Sequence, residues 1–552
     1  MNISADSRFE PESNFSMAGA FHHANHGYTV MNPAGVWMRR LTCLLPSLMA
    51  ALLLGACGGA DGDKSALSAP PQRGALLKSP PTKLASYSIG DLLAQLTGNN
   101  VDESLLQLVY TPKCAIDVYQ LQYETVGGES EATTASGALM VPTGSGAACS
   151  GAHPIILYAH GTTPDRNFNI ADLTSSSNDE GLLLAAIFAT SGYIVVAPNY
   201  AGYDTSTLTY HPYLDADQQS KDMIDALTAA RTALPLLPDS TVSDNSKLFV
   251  TGYSQGGFVA MATHRALQAA GAAVTASAPM SGPYTLAAFG DEIFYGQVPF
   301  SAPENLTLLV ASYQHAYGNI YTSADSIFAP KYAAGIESLL PSTTAISELY
   351  AEGKLPSSQL FSNVPPTPAW AAYTPATMPT NLAPVFATGF GADALILNAY
   401  RLAYLEDAQA APDGGFPTVT TGVPAVSPQN ALRQALKTND LRNWAPSSPM
   451  LLCGGDEDPT VFYSNTVLMQ AYWTTNVPSA TVEVLDIDAG IGITSPFTDF
   501  QDAFAAAKAL VATQAVASGA TDGGASAVLA NYHAGLVAPF CVGAVRSFFD
   551  GF

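Results

Sequence analysis

The stretch Gly252-Tyr253-Ser254-Gln255-Gly256 lies between an apolar, strand-like run (247–251) and a helix-like run (257–262). A serine between a strand and a helix, with a glycine two positions to either side, predicts a sharp turn that presents the serine hydroxyl. The glycines let the strand and the helix approach each other without Cβ clashes. The pentapeptide alone is weak evidence in a chain with 45 glycines, and its strand–turn–helix context strengthens it. We therefore predict that Ser254 is a nucleophile.

The composition of the chain limits the classes of function. Its 552 residues allow one large catalytic domain with insertions, or two domains. Charged residues make up 12% of the chain and the formal net charge is −24. This acidic balance disfavours nucleic-acid binding and is typical of an exported enzyme, although it says little about the substrate.

The N-terminal region has the pattern of an export signal. A basic start (38–40) and a mostly apolar run (41–54) lead into Leu54-Gly55-Ala56-Cys57. This resembles a bacterial lipobox, which predicts a lipoprotein-type signal peptide and lipidation of Cys57; ordinary cleavage nearby is the alternative. The protein would then be exported to the bacterial cell envelope, as an outer-membrane lipoprotein held to the membrane by its lipid, or secreted. Translation would start at Met31 or Met38.

Four cysteines remain when the signal segment and Cys57 are set aside: Cys114, Cys149, Cys453 and Cys541. An even number of cysteines in an oxidising compartment predicts two disulfides, and free buried thiols are the alternative. The favoured pairing is Cys114–Cys149, which flanks a strand pair, and Cys453–Cys541. No cysteine spacing resembles a metal site, so no metal is predicted.

The pattern of apolar runs predicts the α/β class. Two alternating segments (115–124 and 137–142) joined through Gly127-Gly128 indicate an antiparallel start to a sheet. Continuous apolar runs then alternate with helical patterns, as in a mostly parallel sheet flanked by helices. The strand-like runs are 154–159, 193–198, 247–251 and 274–278, and the helical ones are 181–190 and 216–234.

The alternation stops near Ser281 and resumes only at Pro449, far beyond the usual length of a connection. The intervening segment has helical patterns (324–340 and 392–411) and proline-rich breaks (364–384). We expect a large, mainly helical cap over the C-terminal edge of the strands; a second domain without a part in catalysis is the alternative. The predicted organisation is 1–37 over-extended start, 38–56 signal peptide, 57–86 flexible tether, 87–282 core, 283–446 cap and 447–552 core.

Three further segments accompany the serine turn. His160-Gly161-Thr162-Thr163 follows an early buried strand, the acidic loop 454–461 follows a later strand, and Asn531-Tyr532-His533 lies near the end. Together with the serine turn, they resemble an α/β-hydrolase from about Ala115 onward. The resemblance implies a Ser–Asp–His order along the chain, and His533 is the one histidine after the acidic loop.

The resemblance also assigns roles to residues. The acid loop of the superfamily places an aspartate three residues after a glycine, which fits Asp458, and Asp456 is the rival. The implied catalytic residues are thus Ser254, Asp458 and His533. The oxyanion donors would be the backbone N–H groups of Thr162 and Gln255, with His160 bracing the loop. No cofactor is implied.

A narrower resemblance is to the secretory lipase family. Val196-Ala197-Pro198-Asn199-Tyr200-Ala201-Gly202-Tyr203 and the later His211-Pro212-Tyr213-Leu214 are similar to two stretches of that family. Asn199 stands where the family usually has aspartate, and Gln255 where it often has glycine. The resemblance implies carboxylic-ester hydrolysis under a helical cap.

A cap rich in Tyr, Phe, Leu and Pro favours an apolar acyl or aromatic ester, including a polymeric one, over a charged metabolite. Three alternatives remain. One is a serine peptidase or aminopeptidase on the same fold, and another is a non-catalytic binding protein that uses a hydrolase scaffold. The third is acyl transfer to an alcohol rather than to water.

Overall fold

The computed structural model describes residues 72–98, 111–175, 178–238, 240–414, 422–490 and 494–552. The predicted signal peptide, the lipidation site Cys57 and the first part of the predicted tether lie outside the described residues.

A mixed, nine-stranded sheet forms the centre of the described structure. Its strands are β1 Thr82–Tyr87, β2 Ala115–Val126, β3 Ala132–Thr143, β4 Gly151–Ala159, β5 Ile194–Pro198, β6 Val242–Tyr253, β7 Ala276–Met280, β10 Met450–Gly454 and β11 Val482–Asp486; β8 Phe361–Ser362 and β9 Phe390–Gly391 form a separate pair. The order is β1-β2-β3-β5-β4-β6-β7-β10-β11. The pairs β1–β2, β2–β3 and β3–β5 are antiparallel. From β5 to β11 in this order, all neighbouring strands are parallel. The predicted fold class is confirmed.

Helices cover the sheet and build the insertion. They are α1 Ile89–Gly98, α2 Asp179–Ile187, α3 Ala216–Ala233, α4 Gln255–Ala269, α5 Leu286–Phe294, α6 Ala302–Tyr317, α7 Pro330–Ala333, α8 Ile346–Ala351, α9 Ala383–Thr388, α10 Asn398–Ala410, α11 Ala431–Asn439, α12 Ser464–Asn476, α13 Thr498–Ala517, α14 Ala525–Asn531 and α15 Ala538–Phe549. Side-chain caps define several starts: Asn178 accepts the N–H of Gly181 at α2, and Asp215 accepts those of Asp217 and Gln218 at α3.

The parallel strands form the core because both of their faces are covered. Every residue of β5, β7 and β10 is buried, which explains the unbroken apolar sequences of β5 and β10. Helix α4 packs on β6 and β7, and α15 packs on β7 and β10. The carboxyl ends of β6 and β10 therefore lie on one edge of the sheet, where loops carry functional residues.

The regular secondary structure described between β7 and β10 is mainly helical and contains α5 to α11. The helix expected over 324–340 is wrong, because this stretch holds only the four-residue α7 and short 3-10 turns. Pro330 starts a new turn there, and Gly335, at φ 80°, interrupts the helical path. Buried ion pairs hold the insertion together, with Arg433 bound to Asp291 and Asp407.

The tether predicted over 57–86 is wrong for residues 72–86. Arg73 pairs with Asp225 at 3.0 Å, Leu76 forms a bridge to Tyr123, and β1 adds an antiparallel strand to β2. This strand is mostly exposed or half-buried, so it needs few apolar side chains. The composition of β1 is therefore polar and resembles that of a linker.

Two disulfides join the chain. Cys114 is bonded to Cys149 and Cys453 to Cys541, with Cα–Cα distances of 5.5 and 5.8 Å. This is the pairing that the sequence favours. The second bond ties β10, the strand before the acidic loop, to α15, the helix that follows His533.

Candidate active site

Ser254 occupies a strained turn between β6 and α4, at φ 59° and ψ −121°. The flanking glycines are required by close packing. A Cβ on Gly256 would lie 1.9 Å from the carbonyl oxygen of Ala159, and one on Gly252 would lie 2.4 Å from that of Gly256. The Ser254 N–H donates to the carbonyl of Met280 at 3.0 Å. The spacing of glycines in the sequence therefore reflects a real steric need.

Three side chains from distant parts of the chain form one hydrogen-bonded line. His533 Nε2 lies 2.9 Å from Ser254 Oγ, and His533 Nδ1 lies 2.7 Å from Asp458 Oδ2. The other carboxylate oxygen of Asp458 accepts the N–H groups of Thr460 and Val461 at 2.9 and 3.0 Å. Asp458 is 1% exposed. This arrangement can remove a proton from the serine hydroxyl and stabilise the resulting imidazolium.

The rival carboxylate does not take part in this line. Asp456 is exposed, and its backbone N–H donates to Asp486. Partial desolvation of its carboxyl group, and then the charges of Asp488 and Glu457, raise the pKa of Asp456. Of the two aspartates, the structure brings Asp458 to His533.

The histidine is held by contacts that the sequence analysis did not identify. His533 lies in a π-helical turn, Tyr532–Val537, between α14 and α15. The hydroxyl of Tyr253, the residue before the serine, donates to the carbonyl of His533 at 2.5 Å. The hydroxyl of Tyr532 donates to Asp488 and accepts the N–H of Glu457 beside the acid. A tyrosine directly before the serine and another directly before the histidine were the available sequence signal.

The loop after β4 is fixed next to the serine. Its carbonyl groups accept hydrogen bonds from Tyr200, which binds the His160 carbonyl at 2.9 Å, and from Tyr203, which binds that of Thr163 at 2.7 Å. Thr162 Oγ1 lies 2.9 Å from the Tyr213 hydroxyl. Within the described residues, no acceptor takes the backbone N–H of Thr162. That group is therefore available to a substrate oxygen.

His160 has a structural environment. Its ring stacks on Tyr200 with centroids 4.2 Å apart, and Nε2 lies 3.1 Å from the carbonyl of Asn199. Its Nδ1 lies 2.6 Å from the carbonyl of Gly161. Burial lowers the pKa of His160 to about 4, and the two contacts with backbone carbonyls oppose that shift. Asn199, where the secretory lipase family usually has aspartate, binds the N–H of Ile170 and the hydroxyl of Ser136.

Gln255 provides the second predicted oxyanion donor, and its side chain is fixed by His211. The His211 ring is buried, and burial lowers its pKa to about 3. Its Nδ1 lies 3.0 Å from the Ala201 carbonyl and must carry the proton, so Nε2 accepts from the Gln255 amide at 2.8 Å. The histidine of the His-Pro-Tyr stretch thus supports the residue after the serine.

Two cavities meet at Ser254. The first, the apolar pocket, has no charged lining residue in the described chain and is walled mainly by Leu214, Leu286, Phe289, Ile293, Phe294, Leu306, Leu309, Leu432, Leu436 and Val461. The second, the acidic chamber, measures about 330 Å³ and is lined by His533 and by Asp179, Glu180 and Glu304. A substrate at Ser254 can therefore place the part on one side of its reacting bond in the apolar pocket and the other part in the acidic chamber.

Comparisons with known proteins agree with the fold. The model of the Prolyl oligopeptidase family matches residues 183–315, which include Ser254. The structure of the rice cell wall degrading esterase LipA from Xanthomonas oryzae, with a bound ligand, superposes with a TM-score of 0.61 at 26% identity, over 86% of this chain and 98% of that one. The protein is a hydrolase of the α/β-hydrolase fold. A Legionella pneumophila structure shares the fold at 22% identity and a TM-score of 0.55, over 74% of this chain and 91% of that one. No curated protein sequence matches the hydrolase significantly.

The described part of the hydrolase contains no group of three or more His, Cys, Asp or Glu side chains that could hold a metal ion.

Proposed function

We propose that this hydrolase is a serine esterase that cleaves esters of apolar or aromatic acids, including polymeric esters. The observation that carries the proposal is the line from Ser254 through His533 to Asp458 at the mouth of the apolar pocket. An uncharged, leucine- and phenylalanine-lined pocket suits an acyl chain. The likeness to an esterase at 26% identity supports the same class of reaction.

The reaction follows from the roles of these groups. His533 Nε2 takes the proton of Ser254 as Oγ bonds to the acyl carbon, and the carbonyl oxygen becomes an oxyanion held by the N–H groups of Thr162 and Gln255. The oxyanion collapses, the bond to the leaving oxygen breaks, and His533 gives its proton to that oxygen. Water then attacks the acyl-enzyme with His533 as base, which releases the acid and restores Ser254.

Peptide cleavage is the second candidate, and two observations favour it. The matching family model is that of a peptidase family, over residues 183–315. The acidic chamber also places Glu180 and Glu304 beside the serine, where they could receive a substrate amine. The match ends before Asp458 and His533, and the apolar pocket has no charged group for a peptide.

A panel of substrates separates these functions. We expect p-nitrophenyl esters of increasing chain length to be hydrolysed, and aminoacyl and dipeptidyl p-nitroanilides to be left intact. The profile of kcat/KM against chain length would measure the reach of the apolar pocket. Cleavage of the anilides with higher kcat/KM than the esters would replace the esterase proposal by the peptidase one. Added alcohols would detect acyl transfer as a loss of free acid.

We also propose that the enzyme is exported and anchored through a lipid at Cys57, and that residues 283–446 cap the site. Two disulfides are typical of an oxidising compartment. We expect the full-length protein to fractionate with membranes, and the Cys57→Ser variant to appear in the soluble fraction. A protein that is equally soluble with either residue would rule out the lipid anchor.

A further inference from the structure

Glu180 is a carboxylate of the site that the proposed reaction does not use. It lies in the first turn of α2 and lines the acidic chamber with Ser254 and His533. Its Oε1 accepts the hydroxyl of Tyr158, at the end of β4, at 2.5 Å. Its two oxygens also accept the N–H of Gly161, at 3.2 and 3.1 Å. One carboxylate therefore ties the oxyanion loop to the sheet.

The Gly161 N–H, which Glu180 binds, lies one peptide before the Thr162 N–H, the proposed oxyanion donor. The Gly161 N–H is bound by Glu180, and the next N–H along the chain, that of Thr162, is free of any acceptor in the described structure. Three tyrosine hydroxyls bind this loop at other atoms, namely Thr162 Oγ1 and the carbonyl oxygens of His160 and Thr163. His160 Nδ1 lies 2.6 Å from the Gly161 carbonyl, which belongs to the same peptide as the Thr162 N–H. Among these contacts, Glu180 alone holds a backbone N–H of the loop.

We propose that Glu180, held by Tyr158, is a positioning residue that fixes the Gly161 N–H so that the Thr162 N–H faces the oxyanion on Ser254. The inference rests on the proposed acyl-transfer function and applies to an ester or a peptide substrate alike. An ionised carboxylate accepts both hydrogen bonds at once, whereas a protonated one loses an acceptor site. The alignment of the loop therefore depends on the charge of Glu180.

The surroundings of Glu180 place this change of charge near neutral pH. Burial is the largest effect and raises the pKa of Glu180 to about 7, although hydrogen bonds from Tyr158 and Gly161 and the charge of His533 oppose the shift. Because the aligned form is the ionised one, kcat should rise as pH increases through about 7. The ionisable groups that face Glu180 are Tyr158, Tyr200, Tyr253 and His533, with Asp179 and Glu304 on the chamber wall.

Two variants test the proposal on the full-length enzyme, with the ester that the wild type hydrolyses fastest. Glu180→Gln keeps the size of the side chain but not its charge, and we expect kcat to fall about 10-fold with KM within about 2-fold, since one oxyanion donor can contribute 10²–10³ in rate. The inflection of kcat near pH 7 that Glu180 contributes should also vanish. Tyr158→Phe removes a hydrogen bond that lowers the Glu180 pKa, so that inflection should move to higher pH.

The matched control is Glu337→Gln, because Glu337 accepts a tyrosine hydroxyl at 2.6 Å in the cap, away from both cavities. It should leave kcat and the pH profile unchanged. If Glu180→Gln has the wild-type kcat and pH profile, the proposal is wrong. If that variant unfolds, an unshifted profile in Tyr158→Phe overturns it. Ester hydrolysis that survives Ser254→Ala would instead contradict the proposed function.

Discussion

Replacement of Ser254 by alanine should reduce kcat/KM for p-nitrophenyl esters by roughly 10⁶-fold, the order of the loss in kcat when a comparable serine nucleophile is removed. The Oγ atom that His533 Nε2 contacts at 2.9 Å is lost, so no acyl-enzyme can form. The oxyanion donors and the apolar pocket remain, and they explain why some rate above that of water persists. The measurement is steady-state hydrolysis at equal concentrations of active enzyme.

Covalent labelling gives an independent check of the same residue. A fluorophosphonate should modify Ser254 in the wild type and leave the alanine variant unlabelled, as shown by intact mass and peptide mapping. Thermal unfolding is the control, since the variant should melt close to the wild type. Retention of more than a tenth of wild-type activity by a folded Ser254→Ala protein would remove Ser254 from the mechanism.

The paired variants Asp458→Asn and Asp456→Asn should differ sharply. Asparagine at 458 still fits its site, but it stabilises the wrong tautomer of His533 and provides no charge for the imidazolium. The same change lowers kcat by about 10⁴-fold in a comparable triad. Asp456 is exposed and has no contact with His533, so Asp456→Asn should stay within about 2-fold of wild type. The assay is kcat on the best ester, with circular dichroism to verify folding.

Each of these two variants is a control for the other, because both carry the same substitution in the same loop. A large loss at 456 with none at 458 would transfer the role of the acid to Asp456. Equal losses at both positions would point to a disturbed loop rather than a specific contact. Only a loss confined to 458 agrees with the hydrogen bond at 2.7 Å from His533 Nδ1.

Features set by short stretches of chain could be predicted from the sequence. The serine turn needs its glycines because a Cβ on Gly256 or Gly252 would lie 1.9 or 2.4 Å from a backbone carbonyl oxygen, and their spacing is visible within five residues. The central strands were recognisable because burial on both faces leaves unbroken apolar runs, as in β5 and β10. The polar edge strand β1 was missed for the opposite reason, since it is mostly exposed or half-buried.

The amino-acid sequence by itself determined the fold class, the nucleophile candidate and the one histidine in the right order. Tertiary structure brings Asp458 rather than Asp456 to the histidine, because this contact joins a carboxylate of the acidic loop to a residue 75 positions later. It also decided the neighbours of the site: Tyr253 on the histidine, His211 on Gln255 and Glu180 under the oxyanion loop. Such contacts join segments distant in the chain, and no local periodicity encodes them.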